Sequence, residues 1–591
     1  MSAFRIPRLP RPRPFRLGSS PGEIGRLMLL SAVIGVATGL VAVAFHGALS
    51  ALSSFAVGGL AGGWVEGAGR LPRWSLFALP GLGGLCTGLL ISKLVPGTIG
   101  ELADGTDAAI DAFHNRGGRM EFRTAFLKGI SSIVTIGTGG SAGVEGPISQ
   151  VGAGIGSLAC RGLDVSARQR RILAVAGMAA GLGSIFKAPL GGALTSVEVL
   201  YKSDFESDAF LPAVVASVTG YATFCAVDGY LPILGRLPPF SFRDPREILL
   251  YAALGAAMAF ASRLFLKIFR WTREKSLAWK LPFWLKSALA GCSVGAFACA
   301  FPAIVGGWTE LGGLMRVGAS GVAAALLLFA LALAKMVATA LTVGVTQSGG
   351  LFGPSLFVGA LLGGGFGTLC SLLFPGFAAP PGAFMLVGMG AFFAGVAHAP
   401  IAVVVMVCEI AGDYSLLAPL LVASSVHVAL ANRRSVYASQ PVNKFASPAH
   451  RHELQRDILR EATVRQVLDP GKRPVCFPPE ATLAEIRAAL PGTAEEIFPV
   501  VDGEGRFAGV IDVHELRKAI FDDSLAGWVI AQDMLRPSAG LSPDMDLHIA
   551  LQKFLAENAS QMAVLEGGKV VGTLHQRDLI AVYEEKSRSY T

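Results

Sequence analysis

Between Met336 and Cys408 the chain carries no lysine, arginine, aspartate or glutamate. A stretch that long without an ionised side chain has no polar face to offer water, and it could cross a hydrocarbon core more than once. Further charge-free spans run from Leu27 to Phe45, Ser287 to Thr309 and Val317 to Ala334. Spans of about 20 apolar residues predict membrane-crossing helices, whose backbone groups satisfy one another internally. Several apolar stretches are shorter, or are broken by glycine and proline, which predicts helices that stop part-way. With 52% hydrophobic and 16% charged residues, most of the chain is expected to be an all-α, multi-pass membrane protein.

The first apolar run follows "FRIPRLPRPRPFR", is longer than a signal-peptide core and lacks a small-residue cleavage site, so it reads as the first membrane helix. Five arginines between Arg5 and Arg16 put the N-terminus in the cytoplasm by the positive-inside rule. The basic stretch "ANRRSVYASQPVNKFASPAHRHELQR", Ala431 to Arg456, does the same for the C-terminal part. The expected location is the cell (inner) membrane, with the lipid bilayer as surroundings. These flanking clusters account for the net charge of +8, and nucleic-acid binding is not expected. The eight cysteines stand singly with no CxxC pair, so no disulfide framework or metal site is expected.

The membrane part repeats itself. "SAGVEGPISQVGAGIG" from Ser141 aligns without a gap to "SGGLFGPSLFVGALLG" from Ser348, pairing Gly143 with Gly350, Gly146 with Gly353 and Pro147 with Pro354. "GMAAGLGSIFKAPLGGALTSVEV" from Gly177 then aligns to "GMGAFFAGVAHAPIAVVVMVCEI" from Gly388, pairing Pro189 with Pro400 and Glu198 with Glu409. Two matches in the same order, offset by 207 and 211 residues, predict a duplication, here an inverted repeat with halves of about 24–230 and 246–445. A basic segment (1–23) precedes the membrane domain (24–445), and a linker (446–460) follows it.

From about Glu461 the composition changes to mixed charges with strand–helix alternation, and this region is also duplicated. "FPVVDGEGRFAGVIDVHELRKAI" is followed by "MAVLEGGKVVGTLHQRDLIAVY", with Gly509 paired to Gly572 and Leu516 to Leu579. Each copy, 461–522 and 523–591, reads helix, strand, hairpin, strand, helix. The tail resembles a tandem pair of CBS modules, an α/β unit that often binds adenosine nucleotides. That resemblance places Asp512, Glu515, His575 and Asp578 at nucleotide-contacting positions. His575 stands where the family pattern has a serine or threonine, and a purely structural or dimerising tail is the alternative.

A helix that begins at a glycine–proline step leaves several backbone N–H groups free at its positive end. Inside a membrane they must face protein, trapped water or a ligand, and together they suit an anion. Two such segments meeting near mid-membrane would bind an anion without a fixed cation, weakly enough to release it. Glu145 lies at the start of the first segment. Its carboxylate can occupy the anion site when ionised and leave it when protonated; the plain alternative is a helix-capping glutamate.

These residues resemble the CLC family of chloride channels and chloride/proton antiporters, over essentially the whole chain. "GVEGP" (Gly143–Pro147) is similar to the family's G-(K/R)-E-G-P motif, which implies that Glu145 is the gate at the outer end of the pathway, between Gly143 and Gly146. "GLFGP" (Gly350–Pro354) is similar to G-x-F-x-P, which implies that the amides of Leu351 and Phe352 line the anion site. The resemblance also implies that Tyr437, in the last helix before the tail, contacts the central anion through its hydroxyl, and that the protein is a homodimer with one pore per subunit. "CEIAGDYSLL" from Cys408 fits bacterial members.

Three departures bear on function. By position, "ADGTD" (Ala103–Asp107) stands for the family's G-S-G-I-P, so Asp104 replaces a serine whose hydroxyl contacts the ion. The reading preferred here is that Asp104 caps the following helix and leaves only the Gly105 or Thr106 amide to the anion. Val144 replaces a lysine or arginine that would attract anions. Val199 occupies the position of the proton-relaying inner glutamate of antiporters, next to Glu198, whose repetition at Glu409 points to holding a helix end. The expected function is chloride transport gated by Glu145, leaning to uncoupled channel conduction, with a chloride/proton antiporter as the alternative. A CBS-regulated cation transporter using Asp104, Asp107, Glu145, Glu198 and Glu409 is a distant third. No cofactor is required beyond the permeant ion, and no enzyme motif is present: there is no H-E-x-x-H, Walker A or nucleophile elbow.

Overall fold

A computed structural model of the chain describes residues 21–56, 71–101, 104–163, 165–305, 308–317, 320–431, 434–450, 459, 462–469, 474–493, 495–516 and 526–589. It divides into two compact units, 1–444 and 445–591. The basic stretch before residue 21 and most of the linker lie outside the described residues.

Sixteen α-helices lie in the first unit among the described residues, eight in each half. The first eight are α1 (Pro21–Ala56), α2 (Arg73–Leu94), α3 (Gly105–Asn115), α4 (Phe122–Gly137), α5 (Glu145–Ala159), α6 (Ala167–Ile185), α7 (Pro189–Glu198) and α8 (Ser207–Asp228). The second eight are α9 (Glu247–Ala278), α10 (Phe283–Ala300), α11 (Trp308–Val317), α12 (Val322–Thr346), α13 (Phe352–Leu373), α14 (Pro381–Ala397), α15 (Pro400–Ala411) and α16 (Leu417–Leu430). Seven are long and apolar enough to span a membrane, and others, α14 to α16 among them, are short and apolar. The breaks fall at the glycine and proline positions: Pro189 and Pro400 each occupy the first turn of a short helix, where a missing N–H costs nothing.

The duplication is visible in the packing. A Cβ on Gly388 of α14 would lie 2.5 Å from the Gly359 carbonyl oxygen of α13, and Gly177 of α6 meets Gly152 of α5 at least as closely. Glycine at both positions of each pair lets the helix backbones touch, as small residues do in membrane interiors. Lys187 and His398, paired by the repeat, adopt positive φ values of 52° and 59° immediately before the Ala-Pro steps that start α7 and α15.

Glu198 and Glu409 exchange caps. Glu198 accepts from Ile401 N–H (3.2 Å) and Ala402 N–H (2.6 Å) at the start of α15. Glu409, on α15, accepts from Leu190 N–H (3.2 Å) and Gly191 N–H (2.7 Å) at the start of α7. Each carboxylate thus satisfies orphan amides of the other half.

Among its described residues the second unit contains two hairpins, β1 (Ile497–Val501) with β2 (Phe507–Asp512), and β3 (Gln561–Glu566) with β4 (Lys569–His575). Helices Leu483–Ala489 and Leu547–Glu557 precede them, in register with the repeat. Gly509 and Gly572 hold equivalent places, opposite Val500 and Val564. Ile497, Val510 and Ala563 form a core shared by the two copies.

Candidate functional site

The two glycine–proline segments run antiparallel where they meet. Gly143 and Gly350 exchange both backbone hydrogen bonds, each 2.8 Å, so the starts of α5 and α13 are tied together across the repeat. Only glycine fits this contact: a Cβ on Gly146 would lie 2.9 Å from Gly350 Cα. The loop before α13 is held by hydroxyls. Ser348 Oγ lies 3.0 Å from Ser131 Oγ and 3.1 Å from Thr135 Oγ1, and Gly349 N–H donates to Ser132 Oγ at 3.0 Å.

Glu145 is the first residue of α5, and its side chain is 1% exposed. Its carboxylate lies between the starts of the two helices, against its own backbone N–H and the start of α13, where Gly353 N–H donates to Oε2 at 3.2 Å. The anionic group therefore lies against the positive end of the other repeat's helix.

Asp104 does more than the expected capping. Oδ1 accepts from Thr106 N–H at 2.6 Å, so Asp104 does cap α3. Oδ2 accepts from Leu351 N–H, also at 2.6 Å, the amide that the sequence reading assigned to the anion. Asp107, in the first turn of α3, reaches Ser439 N–H (2.9 Å) and Ala438 N–H (3.2 Å).

Those two amides follow Tyr437. The tyrosine does not lie on a helix: α16 ends at Leu430, and Tyr437 belongs to an irregular segment pinned by Asp107 and by Gln440. Gln440 Nε2 lies within 3.0 Å of the Val199, Tyr201 and Ala397 carbonyls. Val199 is fully buried at the end of α7. Gly105, Leu351, Phe352 and Tyr437 are all buried, and Phe352 packs on Phe393 with ring centroids 4.0 Å apart.

Two cavities approach this centre. The larger, about 480 Å³, is lined by Glu145, Gly353, His46, Lys187, Asp228 and Lys335. Lys187 pairs with Asp228 at 2.8 Å. Lys335 is buried, donates to the Ile304 carbonyl at 2.5 Å and lies 4.7 Å from the Phe357 ring centroid. It places a cation in the same cavity as Glu145 although Val144 supplies none. The other cavity, about 360 Å³, is lined by Arg116, Arg119, Arg123 and Lys128 among others, with Gln150 of α5 in its wall.

Sequence reasoning missed Lys335, Asp107's hold on the Tyr437 segment and the Ser348 hydroxyl network. For Lys335 a signal existed: it is the one charged residue between Val317 and Cys408.

Of the acids of the cation-transport alternative, Asp104, Asp107 and Glu145 are neighbours, while Glu198 and Glu409 are taken up by the caps of α15 and α7. Among the described residues no three His, Cys, Asp or Glu side chains are placed to hold a metal ion together.

In the tail, Asp512 accepts from His514 N–H at 2.8 Å and lies 3.5 Å from Arg536. Asp578 accepts from His575 N–H at 3.0 Å, with His575 buried. The side chain of Glu515 lies outside the described residues.

Comparison with known proteins returns one family for each unit. The profile described as voltage gated chloride channel matches residues 83–432, and the CBS domain profile matches residues 464–522 and 530–585. A ClcB-like chloride channel protein of Ralstonia nicotianae is 31% identical over 405 residues, 67% of this chain and 91% of the relative. An H+/Cl− exchange transporter, ClcA of Salmonella arizonae, is 29% identical over 409 residues, 67% of this chain and 83% of the relative. The crystal structure of a eukaryotic CLC transporter shares the fold over 95% of this chain and 99% of its own, with a TM-score of 0.58 at 21% identity.

Proposed function

We propose, for a chain that belongs to the voltage gated chloride channel family and is an integral membrane protein transporting anions, that chloride is its permeant ion and the Glu145 carboxylate its gate. The observation carrying this reading is the Glu145 carboxylate on Gly353 N–H, beside a cavity that also contains Lys335. A carboxylate on a helix-end amide occupies the place a small anion would take. Chloride competes with it, and protonation weakens its hold, so opening is favoured at low pH.

Val199 at the relay position supports conduction without obligatory proton movement, because valine carries no proton. Exchange of chloride for protons is the second reading, and the presence of Asp104 on the Leu351 amide is the observation in its favour. The larger cavity would open to the outside, with both termini in the cytoplasm. A homodimer in the cell (inner) membrane is part of this proposal, as is an adenosine nucleotide at Asp512 and Asp578. Sedimentation in detergent with and without ATP checks both.

The test of the gate is chloride efflux from vesicles containing the purified protein, measured against pH. Glu145→Gln should transport at a rate less dependent on pH than the wild type. Wild-type pH dependence in that variant refutes the gate. A proton gradient that drives chloride uphill selects exchange over conduction.

A further inference from the structure

Beyond Glu145, a second carboxylate lies on the path. Asp104 Oδ2 takes Leu351 N–H and Oδ1 takes Thr106 N–H, each at 2.6 Å, and the side chain is 3% exposed. Close by are two hydroxyls, Thr106 Oγ1 and Tyr437 Oη, both buried and without a well-formed hydrogen bond among the described residues. The Thr106 hydroxyl lies near both the Asp104 carboxylate and the Tyr437 hydroxyl, too long or too bent for a hydrogen bond to either. A buried hydroxyl without a well-formed hydrogen bond is under-satisfied. Two of them beside a helix-end amide are donors set for an acceptor of their own, and a halide accepts from several donors at once.

We propose that Asp104 is a second tethered anion, the inner gate of the pathway, and that it gives way to a permeant anion held by Leu351 N–H and the hydroxyls of Thr106 and Tyr437. This rests on the reading of Glu145 as the gate of an anion path. The exchange balances simply. The carboxylate releases Leu351 N–H and takes one proton from cavity water, becoming a neutral carboxylic acid, while one anion enters the donor set. The net charge of the centre is unchanged, so no desolvated charge is added. When the anion leaves, the proton is returned and the carboxylate goes back to the amide. Glu145 and Asp104 then bracket the junction of the two repeats, one on Gly353 N–H and one on Leu351 N–H, so two displacements open the path.

Other ionisable groups face Asp104. Asp107 shares its helix, Lys128 faces it from α4 and Glu145 from α5, and Tyr437 comes from the segment after α16. Glu101, from the loop before α3, and Arg273 of α9 lie beyond Lys128. From α13, Leu351 and Phe352 present amides and apolar side chains. A pH effect on transport could arise at any of the ionisable groups, so the test removes the two gates in turn.

The full-length protein, reconstituted in vesicles, is assayed for chloride efflux across a pH series. Glu145→Ala should still lose flux as pH rises, by up to about tenfold per unit once Asp104 is ionised, as for a single titrating blocker. Adding Asp104→Asn, or Asp104→Ser where the amide does not fold, should flatten that profile and raise flux at high pH to the low-pH level. Thr106→Val in the Glu145→Ala background should cut flux severalfold while keeping the slope. A flat profile in Glu145→Ala alone overturns the inner gate and leaves Glu145 standing, as does a slope that survives the loss of Asp104. A folded Glu145→Ala protein with no chloride flux at any pH overturns the anion path itself, and the inner gate with it.

Discussion

Replacing Gly388 by alanine tests the close crossing of α13 and α14. The added methyl would lie 2.5 Å from the Gly359 carbonyl oxygen, 2.8 Å from Gly363 Cα and 3.1 Å from Gly363 N. All three are backbone atoms, so no side chain can turn aside. Reaching an ordinary separation of about 3.5 Å requires the helices to part by roughly 1 Å, which forfeits a quarter to a half of the dispersion energy at each contact along the seam. Overpacking costs about 1–3 kcal/mol, and a backbone obstacle puts this site at or above the upper end.

The damage should extend to transport. The Leu351 and Gly353 amides lie at the N-cap and first turn of α13, and a shift of that size breaks hydrogen bonds of 2.6 and 3.2 Å. The assay is the apparent melting midpoint in detergent, with chloride efflux in vesicles beside it. Gly177→Ala, at the equivalent position of the first half, should behave alike, because its Cβ meets the Gly152 carbonyl at least as closely. Gly154→Ala is the control. Its methyl finds Ala125 Cβ at 3.4 Å, so it should be neutral or slightly stabilising through helix propensity. A Gly388→Ala protein with wild-type midpoint and wild-type flux would refute the reasoning.

Two further outcomes are expected. Lys335→Met should lower chloride flux about tenfold at low salt, with the deficit shrinking as ionic strength rises, because the lost cation acts through the potential of the larger cavity; a deficit independent of salt contradicts that role. Glu198→Ala and Glu409→Ala should each cost about 3 kcal/mol by denaturant unfolding, since each removes the acceptor of two helix-end amides and leaves both unsatisfied. The double variant should cost less than the sum, because both caps brace the same pair of helices; strict additivity would separate them.

The chemistry of several of these positions is legible in the chain. The charge-free run demands membrane helices, and the two glycine–proline segments imply free amides because a helix started that way cannot cap itself. The pairing of Glu198 with Glu409 implies a common structural task, and each is found on the other half's amides. What does not show is a partner chosen by the fold. Asp104 Oδ2 finds Leu351 N–H 247 residues away, and local pattern reveals only the nearer bond, to Thr106. The expectation of a helix at Tyr437 failed for a similar reason. The segment Ser435–Pro441 follows an apolar helix, but its amides are taken by Asp107 and its end by Gln440, so helical hydrogen bonds are replaced by distant ones. Lys335 was legible as an isolated charge, but its place beside Glu145 requires α12 to be packed against α13.

One regularity ties the buried acids together. Asp104, Asp107, Glu145 and Glu198 in the first half each accept backbone N–H groups from the second half, and Glu409 accepts from the first. A membrane domain assembled from broken helices has orphan amides at its midplane, and carboxylates from the opposite half are the groups that satisfy them. The same amides are what a permeating anion needs, so structural caps and binding sites draw on one supply. Glu198 and Glu409 brace one helix pair reciprocally, so losing either cap exposes the amides that start α7 or α15 and nothing is gained. At the junction of Gly143 and Gly350 the amides start α13 instead, and a small anion from the cavity can replace the carboxylate with little change in charge. Under the proposed function, that difference singles out Asp104 and Glu145, among the five, as the acids that give way to the permeating anion.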